Sequence, residues 1–155
     1  MMSRVQKGMV AGAVATLAIS LLEALNILVL KWFAAFPLIV ANLVGMPGNM
    51  TVGWIVHAIV GVFILGPLFG VLYSRLPTDT AETTGILFAV GAFAAFMVAV
   101  MLFGDNGSFG RSFGSVAWIL FMHAVFGIVL GNVYARLLAR DRRRLTMSMG
   151  AAPAH

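Results

Sequence analysis

Cysteine is absent from this 155-residue chain, and charged residues account for only 10% of it. The lack of cysteine excludes disulfides, thiolate metal sites and cysteine nucleophiles. The scarcity of charge argues against a soluble domain, in which about a quarter of the residues are charged. The sequence also contains no complete catalytic, nucleotide-binding or metal-binding motif. We therefore expect no catalytic residues, no metal site and no enzyme activity.

Long apolar runs dominate what is present. Hydrophobic residues make up 61% of the chain, and the mean hydropathy is +1.02. A membrane-spanning helix needs about 20 apolar residues, and four runs meet that requirement: residues 8–30, 52–73, 85–103 and 113–138. The sequence thus predicts an all-α membrane protein with a single four-helix transmembrane domain over residues 1–145. Residues 146–155 are predicted to form a short, flexible cytoplasmic tail.

The basic residues are distributed unevenly between the two sets of helix ends. One set holds Arg4, Lys7, Arg75, Arg136, Arg140, Arg142, Arg143 and Arg144, whereas the other holds only Lys31 and Arg111. Cytoplasmic loops are enriched in Lys and Arg, so we expect two hairpins with both termini in the cytoplasm. The net charge of +5 is then a sign of membrane topology and not of a nucleic acid partner. The five arginines after residue 135 are expected to contact anionic lipid headgroups.

The first outer loop, residues 31–51, is long and nearly free of charge. Apolar residues in such a loop are better accommodated in the membrane interface, or folded back into the protein, than in water. Pro37 is suited to the start of a short helix, and Gly45, Pro47 and Gly48 are suited to its end. The sequence therefore predicts an interfacial or re-entrant segment between the first two spanning helices.

Small residues recur at a spacing of four within the apolar runs. They are Gly8 and Gly12, Gly66 and Gly70, Gly91, Ala95 and Ala99, and Gly127 and Gly131. This spacing places them on one helix face and lets helices pack closely in lipid. We expect these stripes to pack helix against helix, and the outer apolar surfaces to contact lipid, other membrane-protein subunits or a second copy of the chain.

Two segments of the chain resemble each other. GPLFGVLYSRL, residues 66–76, shares its Gly, Gly, Tyr, Arg and Leu positions with GIVLGNVYARL, residues 127–137. A second likeness, between HAIVG at residues 57–61 and HAVFG at residues 123–127, requires a different register. Either an internal duplication or shared interface chemistry explains these similarities.

Polar residues inside the apolar runs are the candidates for a functional site. Glu23 and Asn26 lie on the same face of the first predicted helix, and His57 and His123 fall in the outer halves of the second and fourth. An ionisable group in the membrane interior is costly unless it is paired. We expect Glu23 to pair with His123, either to exchange a proton or simply to join two helices. Alternatively, His57 and His123 could ligate a b-type haem, because each has a glycine four residues later on the same face.

Three segments carry a resemblance to a known group of proteins: KGMVAGAVATL at residues 7–17, GMPGNMTVGWIVHAIVG at residues 45–61 and HAVFGIVLGNVYARL at residues 123–137. Together they resemble an uncharacterised bacterial family of small four-helix inner-membrane proteins. The resemblance implies a fold and a location in the bacterial cytoplasmic membrane. It implies no activity and assigns no functional residue.

Three functions remain open from the sequence. The first is a non-enzymatic accessory or scaffold subunit of a larger membrane complex, which needs no cofactor. The second is a proton- or ion-coupled small transporter that uses Glu23, His57 and His123. The third is an electron carrier with a bis-histidine haem b.

Overall fold

A computed structural model describes residues 2–104 and 113–150, with side chains described up to residue 147. Those residues form helices and their connections, without a strand. Four helical stretches are long and apolar enough to cross a membrane: Arg4–Leu30, Met50–Arg75, Ala81–Phe103 and Phe113–Met147. They are called the first to fourth spans below. The predicted all-helical fold with four membrane-span-length helices is confirmed.

The spans are built from regular and irregular helix. The α-helices are α1 (Arg4–Leu25), α2 (Phe36–Leu43), α3 (Met50–Ile59), α4 (Gly66–Leu72), α5 (Ala81–Phe103) and α6 (Phe113–Gly150). The first span ends in a π-helical turn, Asn26–Leu30, and a second π-helical turn, Val60–Leu65, joins α3 to α4. A 3₁₀ turn, Tyr73–Arg75, completes the second span. Because π-helical turns are rare and tend to occur at functional sites, both positions are of interest.

Capping residues fix the start of the first and third spans. Ser3 and Gln6 form a capping box at the start of α1, and Thr80 and Thr83 form one at the start of α5. Each box satisfies backbone amides that the first helical turn leaves without a partner.

The fourth helix is longer than the sequence suggested. It continues beyond residue 138 to Gly150, so the first residues of the predicted tail are helical. Arg and Leu, frequent after residue 135, are good helix formers and no proline or glycine interrupts them before residue 150. Residues 151–155 of that tail lie outside the described residues, as do residues 105–112 between the third and fourth spans.

The helix predicted within the first outer loop is present as α2. It begins at Phe36, with Pro37 in its first turn, and the chain leaves it through Gly45 and Gly48, which have positive φ angles of 74° and 78°. Ile39, Val40, Ala41 and Pro37 are buried. The segment therefore folds back onto the protein, and α2 packs against α3.

The first span is central to the bundle, since it packs against both the second and the fourth spans, while the third span packs against the fourth. At one end, Phe69 of the second span contacts the ring of Phe88 at a centroid distance of 5.2 Å. The hydroxyl of Tyr134 donates a 3.0 Å hydrogen bond to the carbonyl of Gly70. This end also carries Arg4, and it is called the basic end; the opposite end is called the α2 end.

Glycines allow close helix contact within two helix pairs. A methyl group on Gly8 would collide with the backbone of Gly66, and one on Gly12 with the carbonyl of Gly61. In the second pair, a methyl group on Gly85 would collide with the carbonyl of Gly127. These contacts bring the first span against the second, and the third against the fourth, as small residues do in lipid.

The predicted stripe on the third span needs correction. No neighbouring atom lies within 4 Å of the position that a Cβ on Gly91 would occupy, and Ala95 is exposed. Gly85, two turns earlier, makes the close contact instead. Spacing in the sequence identifies small residues that share a face but does not say which face meets a neighbour.

The two helix pairs have corresponding contacts. Gly70 approaches Arg4 and Gly8, whereas Gly131 approaches Ala81 and Gly85 in the same manner. The register that aligns Gly70 with Gly131 also aligns Tyr73 with Tyr134, whose rings are 4.8 Å apart. In that register His57 aligns with Trp118 and not with His123. The two histidines therefore occupy different positions in the two pairs.

Candidate functional site

A cavity of about 360 Å³ lies within the α2 end of the bundle. Within their described residues, α3 and α5 make no extended contact with each other, and the space between them forms part of the cavity. The first and fourth spans provide Glu23 and His123, and α2 contributes Phe36 and Val40. The volume is within the range of about 300–1,000 Å³ that is typical of small-molecule sites.

The cavity wall is almost entirely apolar. Aliphatic and aromatic side chains supply most of it, and the side chains with polar atoms are Glu23, Trp54, His57, Trp118 and His123. Ala95 lines the cavity and is also exposed on the surface of the third span. The cavity therefore reaches the surface that would face lipid between the second and third spans.

Glu23 is only 2% exposed, and its carboxylate joins three elements. Oε1 accepts a 2.8 Å hydrogen bond from the amide of Phe36 at the start of α2. Oε2 accepts a 2.9 Å hydrogen bond from the indole Nε1 of Trp118 on α6. Hydrogen bonds to a carboxylate are among the stronger ones in proteins, so Glu23 holds α2 and α6 against α1.

The predicted pairing of Glu23 with His123 is wrong. Within the described residues, the hydrogen bonds of Glu23 come from Phe36, from Trp118 and, at 3.5 Å, from Asn26. Both Glu23 and His123 line the cavity, but they are not bonded to each other. The distance of each residue from a helix end can be estimated from sequence, whereas the rotation of α6 and the position of α2 cannot.

Asn26 is fully buried and, like Glu23, forms hydrogen bonds with the chain that follows the first span. Its amide oxygen accepts a 3.2 Å hydrogen bond from the amide of Phe33, and its amide nitrogen donates a 3.3 Å hydrogen bond to the carbonyl of Phe33. These two bonds fold the chain back after the first span, where Lys31 adopts a positive φ of 53°. A buried backbone would otherwise lack partners in this connection.

His123 presents one ring nitrogen to its own helix. Its Nδ1 lies 2.8 Å from the carbonyl oxygen of Ile119, and its ring contacts Phe93 and Phe96 at centroid distances of 5.5 and 6.2 Å. Because a carbonyl oxygen only accepts, Nδ1 must carry the proton in this bond. In the neutral imidazole, Nε2 is then an acceptor, and no group among the described residues donates to it.

His57 lines the same cavity from α3. Its ring contacts Phe36 at 5.3 Å and Trp54 at 5.9 Å, both edge-on. Over residues 2–104 and 113–147, neither of its ring nitrogens has a hydrogen-bond partner. The two predicted histidines therefore line one cavity, and His57 retains hydrogen-bonding capacity for a ligand.

A group of three or more potential metal ligands is not found among the described residues. Two imidazoles alone are too few for a structural zinc site, which has four protein ligands. If the cavity held a haem, His57 and His123 would be the residues to hold its iron, and the contact with Ile119 would fix the His123 tautomer. The number of imidazoles in the cavity thus matches a haem ligand pair, but not a structural zinc site.

Sequence reasoning missed an ion pair at the basic end. The Nζ of Lys7 lies 2.7 Å from Oδ2 of Asp141, and their side chains are only 8% and 11% exposed. The sequence pattern predicts for Lys7 only a role in membrane topology. An acidic residue within an otherwise basic segment, Asp141 among Arg140 and Arg142, is the signal that could have drawn attention to it.

The arginines of α6 form a basic face in the C-terminal part of the fourth span. Arg136, Arg140, Arg143, Arg144 and Met147 line a shallow depression of about 350 Å³. Their spacing places them along one side of the helix. The structure therefore brings four of the five predicted lipid-contacting arginines to one surface.

The described residues thus define an all-helical protein with four membrane-span-length helices and an apolar cavity that contains two imidazoles. The sequence model of a family of unknown function, DUF6789, matches residues 2–145. The chain belongs to this family, which agrees with the expected resemblance to an uncharacterised family. No curated protein and no solved structure shows a significant match to the chain.

Proposed function

We propose that this chain is a non-enzymatic membrane protein that binds a small apolar molecule from the bilayer in the cavity at the α2 end. The observation that carries the proposal is the cavity itself, about 360 Å³ in volume and lined almost wholly by apolar side chains. Empty apolar space forfeits the dispersion contacts that a packed interior would make. A ligand that fills the space restores those contacts.

Access from lipid supports this proposal. Ala95 belongs both to the cavity wall and to the exposed surface of α5, so a molecule dissolved in the bilayer can enter without crossing water. The cavity contains one carboxylate, Glu23, and its hydrogen bonds are made by protein donors. A neutral ligand therefore suits the site better than a charged one.

Ligand retention tests the proposal. The protein would be isolated from its native membrane in polymer-bounded lipid discs, and its apolar components would be extracted and quantified by mass spectrometry. We expect one component near one molecule per chain in the wild type, and its loss in Ala95→Phe, which places a ring in the cavity. Ala94→Phe is the matched control, because Ala94 is exposed but does not line the cavity. If the extracts from both variants have the same composition as the extract from the bulk membrane, the cavity does not bind a specific ligand.

Haem is the second candidate ligand, because His57 and His123 line the same cavity. If it binds, the two imidazoles hold its iron, and the iron supplies one-electron transfer. The absorption spectrum of the protein as isolated tests this candidate. A Soret band lost in His57→Ala or His123→Ala supports haem, whereas a colourless protein with an extractable organic ligand excludes it.

The contacts of Glu23 favour a structural role over proton transport. A transported proton requires a carboxylate that can exchange partners during the cycle, whereas the amide of Phe36 and the indole of Trp118 hold both oxygens of Glu23. We therefore favour ligand binding over proton- or ion-coupled transport as the function of this chain.

We further propose that the chain resides in the bacterial cytoplasmic membrane with both termini inside, as two similar hairpins, and that it serves a larger complex as an accessory subunit. The uneven distribution of Lys and Arg supports the orientation. The exposed, unpacked face around Gly91 supports association. Reporter fusions at residues 78 and 147 test the orientation. Both fusions should report a cytoplasmic location, and a periplasmic signal from either one would contradict the proposed orientation.

A further inference from the structure

The hydrogen-bonding atoms of the cavity define what the ligand must offer, and this inference rests on the ligand-binding function proposed above. His123 uses Nδ1–H for the carbonyl of Ile119 at 2.8 Å. In the neutral ring, its Nε2 can therefore only accept. A ligand group that bonds to Nε2 must therefore be a donor, such as a hydroxyl group.

The second imidazole provides a site for a second hydroxyl. His57 lines the same cavity from α3, and its nitrogens are without a protein partner in the part of the chain that the structure describes. A neutral imidazole offers one donor and one acceptor. A ligand with hydroxyl groups at two ends of its head would satisfy both histidines.

The surroundings of the two imidazoles favour an aromatic head. Phe36 and Trp54 contact His57, and Phe93 and Phe96 contact His123. Aromatic rings gain from edge-to-face and offset contacts with other aromatic rings. A flat aromatic ring that bears two hydroxyls therefore fits between the histidines better than an aliphatic alcohol does.

The opening between the second and third spans fits an apolar tail. Ala95 on α5 lies in the cavity wall and on the protein surface, and Val60, within the π-helical turn of the second span, lines the cavity from the other side. We propose that the cavity binds a lipid-soluble hydroquinone, whose hydroxyls bond to His123 and His57 and whose apolar tail leaves between the second and third spans.

The test compares a hydroquinone with an ether that lacks its hydroxyl hydrogens and with an aliphatic alcohol that lacks its ring. Protein in phosphatidylcholine discs would be titrated with a decyl-substituted hydroquinone under argon, with its dimethyl ether and with stearyl alcohol. Quenching of Trp54 and Trp118, which line the cavity, reports binding. The measurement is made in a Trp32→Phe background, because Trp32 is 72% exposed. Parallel titrations of Ala95→Phe and Ala94→Phe separate the cavity from the disc.

We expect the hydroquinone to bind about tenfold more tightly than its dimethyl ether, which corresponds to one net hydrogen bond. His123→Phe should remove this preference, and His123→Gln, whose side-chain oxygen can accept, should keep part of it. Equal affinity for the hydroquinone and the ether, or for stearyl alcohol, overturns the hydroquinone assignment but leaves an apolar ligand in place. Binding that Ala95→Phe does not reduce overturns the cavity proposal as well, and a Soret band in the isolated protein replaces the hydroquinone with haem.

Discussion

The ammonium group of Lys7 on α1 lies 2.7 Å from the carboxylate of Asp141 on α6, and both side chains are almost completely buried. This pair connects the first and last spanning helices at the basic end. Removing one partner of the pair leaves the other charge uncompensated and is expected to lower stability. The pair is therefore expected to determine how firmly the fourth span is held.

We predict that Lys7→Met or Asp141→Leu alone lowers the thermal unfolding midpoint in detergent strongly, whereas the double variant is closer to the wild type. The reason is that the double change removes both buried charges together. Arg142→Ala is the control, because Arg142 is an exposed cation next to Asp141 and should change the midpoint little. If the double variant loses as much stability as the two single variants combined, the two groups do not interact.

A second prediction concerns the glycine contact in the third span. Gly85→Leu should destabilise the protein by about 1–3 kcal/mol or more, because a side chain there meets the backbone of Gly127. Gly91→Leu, on the same helix, should have little effect, since nothing lies within 4 Å of its Cβ position. Thermal unfolding of both variants in the same detergent checks this difference. Similar midpoints would contradict the packing described for α5 and α6.

A third prediction concerns the cross-link made by Glu23. Glu23→Gln keeps one acceptor oxygen but replaces the other with an amide nitrogen, which cannot accept from the amide of Phe36 or the indole of Trp118. A buried donor without a partner costs about 1–3 kcal/mol. We expect α2 to separate more readily, so that amide hydrogen exchange over residues 36–43 is faster.

The exposed carboxylate Glu82 provides the matched control for this experiment. Glu82→Gln should leave exchange in α2 unchanged. Exchange that is the same in Glu23→Gln and the wild type would mean that the carboxylate does not hold α2.

Some of this architecture can be predicted from sequence, and some cannot. Apolar length alone identifies the four spans, because a bilayer imposes a minimum length on a helix. Pro37 and the glycines at 45 and 48 mark α2, because proline suits a first helical turn and glycine a positive φ. These are local properties of the chain.

The contacts of the site depend on how neighbouring helices are rotated, which no local pattern specifies. The sequence predicts a bond between Glu23 and His123; both residues line one cavity, but Trp118, about one turn earlier on α6, takes the hydrogen bond. The likeness of the two H-A-x-x-G segments likewise suggested equivalent histidines. The contacts of Gly70 and Gly131 show a different register, in which His57 corresponds to Trp118.

The last prediction concerns the basic face of α6. Arg136, Arg140, Arg143 and Arg144 line one depression, and each basic residue near an anionic membrane surface contributes about 1 kcal/mol. Replacing Arg140, Arg143 and Arg144 with Gln should reduce the retention of phosphatidylglycerol relative to phosphatidylcholine, as measured by mass spectrometry of the protein released from mixed-lipid discs. Arg75→Gln removes an exposed cation at the same end of the bundle but outside this face, and it should retain the wild-type ratio. Because the interaction is electrostatic, the difference in lipid ratio between the wild type and the triple variant should shrink as ionic strength rises. If the lipid ratio changes neither with the substitutions nor with salt, these arginines do not bind anionic lipid.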